Sequence, residues 1–259
     1  MSAIPPALEV TGLNKHFGGL HATCDVSFTV PEGQLVALIG PNGAGKTTLF
    51  NLITNLFLPD SGEVRFAGTS LRTLSATRIA ALGLIRTFQT ARVFPGMTVL
   101  ENVLVGRHRL MRAGPLAQML WLPRQRREER AERQRALALL DLVGLSRLSD
   151  AHAADLPMGA QKMLEVIRAL VAQPKLLLLD EPAAGLNDSE TAELAALLRA
   201  IRDSGVTIVL VEHNMPLVMG IADEVMVIET GRLIMSGKPA DVQRDPRVIA
   251  AYLGQAEAA

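Results

Sequence analysis

The chain has 259 residues, 49% of them hydrophobic, so it can bury a large core. Its 26 basic and 26 acidic side chains balance, which excludes a strong overall field toward nucleic acid or anionic lipid. Cys24 is the one cysteine; it excludes an internal disulfide framework and fits a reducing compartment.

No uncharged apolar run approaches the roughly 20 residues that span a bilayer. The start, Met1-Ser2-Ala3-Ile4-Pro5-Pro6, has no basic flank followed by an apolar stretch. A cytoplasmic chain without a secretory signal is therefore expected.

Residues 8–11 and 25–30 alternate as strands, and Pro31-Glu32-Gly33 supplies a turn before the apolar run 34–39, which has strand length. Residues 40–48 then read Gly40-Pro41-Asn42-Gly43-Ala44-Gly45-Lys46-Thr47-Thr48, the G-x-x-x-x-G-K-[ST] phosphate loop. Its glycines let backbone N–H groups close around phosphate oxygens, Lys46 is placed for the β- and γ-phosphates, and the Thr47 hydroxyl suits Mg²⁺. A helical pattern starts at Thr47. Strand, glycine loop and helix N-terminus in that order make an anion site from backbone and dipole alone.

A turn at Pro59-Asp60-Ser61-Gly62 leads into the alternating residues 63–67, and from about residue 75 the texture is helical. Thr98 and Glu101 match a capping box that opens a helix over 99–108. Residues 124–135 hold six arginines interleaved with three glutamates. Arg124–Glu128 and Glu129–Arg133 fall at i,i+4, and no aromatics interleave, so a solvated helix face is expected rather than a nucleic-acid patch. Trp121 before it reads as a packing residue.

Helical segments 160–172 and 189–203 alternate with strand runs 176–179 and 206–211, the pattern of parallel βα units. Residues 225–228 and 233–235 around Thr230-Gly231 read as a hairpin, and Asp245-Pro246 opens a short terminal helix to residue 253. The whole is an α/β nucleotide core interrupted by a helical insertion at about 86–160.

Two further groups of residues carry chemistry. The run 176–179 delivers Asp180 and Glu181 at its C-terminal end, where open α/β sheets hold ligands. Asp180 is placed for the Mg²⁺ shell and Glu181 for orienting or deprotonating the attacking water. Val211-Glu212-His213 ends the next strand at the same edge, so His213 is a candidate to bond the γ-phosphate and hold the water.

Across essentially its whole length the chain resembles the ATP-binding subunits of ABC transporters. The phosphate loop, Arg86-Thr87-Phe88-Gln89, residues 156–170, Leu179-Asp180-Glu181-Pro182, Ala183-Ala184-Gly185-Leu186-Asn187 and His213 fall in that family's order and spacing. The resemblance implies a P-loop NTPase core, an N-terminal antiparallel β subdomain and an inserted α-helical subdomain. The expected division is 1–85 with 161–235 as core, 86–160 as helical insertion and 236–259 as a helical tail. Gln89 resembles the glutamine that reaches Mg²⁺ and water while joining core to helical lobe. Phe17 resembles the aromatic that stacks on adenine, Glu181 the catalytic glutamate and His213 the switch histidine.

Leu156-Pro157-Met158-Gly159-Ala160-Gln161 stands where the family has Leu-Ser-Gly-Gly-Gln, with Leu156 and Gly159 retained. In the family this helix start faces ATP held by a partner subunit, and Asn187 stands where a family aspartate does.

Phe17-Gly18-Gly19, residues 49–55, 97–106 and 181–187, and Ala251-Tyr252-Leu253-Gly254 are closest to the branched-chain amino-acid uptake ATPases. Urea, amide and aromatic-acid importers have similar ATPases. The implied assembly is a head-to-tail dimer with an identical or companion ATPase, on two membrane permease subunits at the inner face of the cell membrane. A periplasmic or extracellular solute-binding protein is implied indirectly, ATP and Mg²⁺ are the implied cofactors, and no nucleic acid is implied. A soluble ABC protein acting on DNA or ribosomes is the alternative class; it is expected to carry long coiled coils, zinc cysteines or two nucleotide domains.

Overall fold

In the computed structural model, residues 5–87, 93–107 and 123–253 are described. A four-stranded antiparallel sheet, order β2-β1-β4-β5, is built from β1 (Leu8–Phe17), β2 (Leu20–Val30), β4 (Ser61–Phe66) and β5 (Thr69–Ser70). β1 outlasts the alternation that ends at Thr11, because irregular pairing with β2 between Val10 and His16 shifts the side-chain period.

The second sheet has six strands in the order β10-β9-β3-β8-β7-β6. These are β3 (Leu35–Ile39), β6 (Leu84–Arg86), β7 (Leu176–Asp180), β8 (Thr207–Val211), β9 (Glu224–Glu229) and β10 (Arg232–Gly237). All neighbours are parallel except the β9–β10 hairpin, the one the Thr230-Gly231 turn predicts. β3, β7 and β8 are buried along their whole length, as expected of a parallel sheet covered on both faces.

Successive side chains point to opposite faces, which sorts the core. Leu177, Leu179, Ile208 and Leu210 join a cluster with the helices α3 (Val99–Arg107), α4 (Pro123–Asp141), α5 (Met158–Leu170) and α6 (Asp188–Asp203). Leu176, Leu178, Val209 and Val211 join another with α1 (Lys46–Ile53) and the antiparallel sheet. At the β9 side, Val218 of α7 (Met215–Ile221) and Val242 of α8 (Pro239–Val242) close a third cluster, and α9 (Pro246–Leu253) adds Val248.

One reading of the middle of the chain is corrected, and another holds with one exception. Helical texture from residue 75 holds for α2 (Ala76–Leu82), but β6 follows at once; it pairs with Leu176–Leu178, and three residues are too few to show a period. The arginine-rich stretch is exposed at 127–131 and 133–135, as a solvated face should be; Glu132 is the exception, buried against Arg107. The expected Thr98–Glu101 capping box is formed: each side chain accepts the other's backbone N–H, at 3.2 and 2.8 Å. Gln89, Phe88, His108 and Trp121 lie outside the described residues.

Candidate nucleotide site

The phosphate loop connects β3 to α1, whose first helical residue is Lys46. Gly45, at φ 104°, is the N-cap of α1 and offers no side chain to cap it. A Cβ there would lie 2.4 Å from the Ala22 carbonyl oxygen of β2, so only glycine lets the loop pass the strand. Next to it the Gly231 N–H donates to the Ala44 carbonyl at 2.9 Å and the Cys24 N–H to the Gly231 carbonyl at 2.7 Å. The antiparallel sheet, the hairpin turn and the loop are thus joined through backbone.

Lys46 is buried, and its Nζ donates to the carbonyls of Gly40 at 2.7 Å and Pro41 at 2.8 Å. Burial lowers its pKa from the ordinary lysine value, while Glu181 and Asp180 favour the charged form.

At the end of β7, Asp180 is buried and its Oδ2 accepts from Arg86 Nη2 at 3.0 Å. Burial pushes its pKa up against the opposing pull of the Arg86 hydrogen bond and charge. Arg86 also donates to Asn51 Oδ1 of α1 at 2.6 Å and lies over the Phe50 ring at 5.5 Å. Its strand therefore ties the acid to the phosphate-loop helix. Asp180 Oδ1, by contrast, is buried with no hydrogen-bond partner. A buried carboxylate oxygen left open, on an acid that interacts electrostatically with Lys46 of the loop, fits a divalent cation, which with nucleotide present would satisfy it.

Glu181 stands in the left-handed region, φ 50°, and its N–H donates to the Val211 carbonyl at 2.9 Å. His213 is exposed, with Nδ1 3.9 Å from Glu181 Oε1. Between them Glu212 is buried and accepts backbone N–H bonds from Ala183 at 2.7 Å, His213 at 3.0 Å and Asn214 at 3.3 Å. One carboxylate so anchors both segments that follow the strand ends.

An open cavity of 510 Å³ brings together Phe17, Asn42, Gly43, Ala44, Gly45, Lys46, Thr47, Thr48 and Glu181. Phe17 is 42% exposed at its side and meets Phe57 edge-on at 5.5 Å, so it is not a core phenylalanine. Leu20, His21, Ala22 and Thr230 also line the cavity. They and the roles of Arg86 and Glu212 escape sequence reasoning. Arg86 falls inside a quoted motif and Thr230 inside a recognised turn, but neither pattern reveals a tertiary partner.

Leu156, Gly159 and Asn187 belong to a second group, where α5 and α6 begin. Pro157 is the N-cap of α5 and gives no side-chain hydrogen bond; Leu156 is buried, and its carbonyl accepts from Gln161 Nε2 at 2.9 Å. Asn187 caps α6 in a capping box with Glu190.

No helix among the described residues is long and apolar enough to cross a membrane. The ABC transporter family matches residues 23–184, and the branched-chain amino acid ATP-binding cassette transporter family matches residues 232–258. The chain is 44% identical over 252 residues, 97% of its length and 99% of the relative's, to the high-affinity branched-chain amino acid transport ATP-binding protein BraF of Pseudomonas aeruginosa. It is 42% identical, with the same coverage, to LivG of Escherichia coli K12, which carries the same description. Among solved structures, an ATP-binding cassette of an ABC transporter in its ADP conformation matches with a TM-score of 0.83, 31% identity, and 96% and 98% of the two chains covered. The mixed α/β fold, the phosphate loop on its cavity and these relatives agree: the chain belongs to the ABC transporter ATP-binding family, whose members couple ATP hydrolysis to transport.

Proposed function

We propose that this chain energises the uptake of branched-chain amino acids, as one of two ATPase subunits docked on two membrane permease subunits at the inner face of the cell membrane. A periplasmic or extracellular binding protein delivers the solute. The observation that carries the cargo is the match of residues 232–258, the last core strand and the tail, to a segment of the branched-chain amino acid transporters. In this reading residues 1–85 and 161–235 form the core with its β subdomain, 86–160 the helical insertion and 236–259 the tail.

The cavity lining supports the roles proposed for the near side, and the family resemblance supports those of Gln89 and the partner-facing residues. Phe17 presents its exposed ring to adenine. Backbone N–H groups of residues 42–48 at the start of α1 surround the phosphates, and Lys46, whose charged form the neighbouring acids favour against the lowering effect of burial, pairs with the β- and γ-phosphates. Mg²⁺ would be held by Thr47, by Asp180 through its open Oδ1 and by Gln89, and would supply neutralisation of phosphate charge. Glu181 orients the attacking water and takes its proton, and His213, 3.9 Å away, bonds the γ-phosphate and keeps the water in line. The near side of the site is this chain's own. The far side is closed by the partner's signature helix, and this chain offers Leu156, Gly159 and Asn187 in return.

The test is reconstitution with its permease and binding protein in liposomes, reading ATPase and uptake together. Leucine, isoleucine or valine stimulates both in the expected result. Stimulation by urea, an amide or an aromatic acid instead overturns the cargo, and ATP turnover indifferent to every solute overturns the coupling.

A further inference from the structure

Gly159 lies in the first turn of α5, is buried, and has a neighbour that its retention in a degraded signature does not by itself explain. A Cβ built there would stand 2.2 Å from Glu190 Oε1, 2.5 Å from its Cδ and 3.0 Å from its Cγ. The end of a glutamate side chain ordinarily swings aside, but this one is held. Its Oε2 accepts the Asn187 N–H at 3.0 Å, and the Glu190 N–H donates to Asn187 Oδ1 at 3.0 Å. The carboxylate can make room at Gly159 only by abandoning the cap of α6.

No side chain of its own caps α5, because Pro157 occupies the N-cap. Glu190 is therefore one group serving two helix starts: it completes the cap of α6 and packs side-on against the first turn of α5.

We propose that Glu190 is a positioning residue that locks the signature segment to the Asn187 segment, so that the two meet the partner subunit as one rigid edge. Gly159 is required because Glu190 occupies the space a side chain would fill. The proposal rests on the reading above that Leu156, Gly159 and Asn187 face the nucleotide of the partner.

A double-mutant cycle tests it in the assembled complex, with ATP turnover and ATP-driven dimerisation as readouts. Gly159→Ala is expected to lower kcat about tenfold and weaken dimerisation, leaving the isolated chain's own affinity for ATP unchanged. Glu190→Ala is expected to lower kcat a few-fold through the lost cap. The double variant is expected to be no worse than Glu190→Ala, because the space has been cleared. Glu190→Gln keeps the capping geometry, so it should retain turnover and leave Gly159→Ala as harmful as before.

Defects that multiply in the double variant overturn the proposal, since Gly159 would then be needed for another reason. If Gly159→Ala fails to fold, recovery of folding in the double variant supports the lock and continued failure overturns it. A loss of ATP affinity in the isolated Gly159→Ala chain overturns the partner-facing reading instead, and the cycle still judges the lock.

Discussion

Among the described residues, α1 at Gly45, α5 at Pro157 and the four-residue α8 at Lys238 begin without a side-chain cap. Others supply their own: Ser75 for α2, Thr98 for α3, Asn187 for α6 and Asn214 for α7. Uncapped first turns leave N–H groups and the positive end of the dipole available to an anion. The starts of α1 and α5 differ in support. That of α1 is walled in by β2, the hairpin turn and buried Lys46, while that of α5 is exposed at Pro157 and Met158 and leans on Glu190. In the proposed function the first end holds a phosphate alone, and the second meets a phosphate that the partner subunit holds.

The contrast breaks first at the supported end. Glu181→Gln should cut ATP turnover of the assembled pair by about 10²–10⁴-fold while nucleotide binding to the isolated chain stays intact. Unchanged single-turnover hydrolysis would remove Glu181 from its assigned role.

Next in size is Arg86→Met, which leaves buried Asp180 without its cation and should lower stability by about 3–5 kcal/mol in urea unfolding at neutral pH. Burial already raises the pKa of Asp180, so protonation favours the folded state: the variant should recover as pH falls, and its deficit should grow as pH rises through that pKa. A pH-independent deficit would contradict the pairing.

At the leaning end, Pro157→Ser gives α5 a side-chain cap and should add about 1 kcal/mol of stability. Turnover of the assembled pair should change while the isolated chain's ATP affinity stays unmoved; a changed affinity in the isolated chain would erase the distinction between the two ends. The smallest effect expected is for Phe17→Ala, about 1 kcal/mol or roughly fivefold in ATP affinity by fluorescence titration, with kcat at saturation preserved.

What could be read from the chain follows the range over which residues act. The phosphate loop is contiguous, and the acids Asp180 and Glu181 follow an apolar run whose length and composition mark a buried strand, so both were legible from local pattern. So were the hairpin at Thr230-Gly231 and the box at Thr98. Arg86 was not, because its ion pair bridges 94 positions and its strand has three residues. Glu212 looked like the polar end of a strand; only folding shows that three N–H groups converge on it. Glu190 was likewise one acid in a helix start, and its contact with Gly159 depends on how α5 and α6 lie together.

Glu212 has a consequence in time as well as in place. A buried acceptor shared by the amides of Ala183, His213 and Asn214 makes these three exchange-protected by one event, since none is freed in the native packing until the carboxylate lets go. In a hydrogen–deuterium experiment they should exchange together, at one rate, and slow together when nucleotide binds. That common rate would report how often the segments bearing Glu181 and His213 open as a unit.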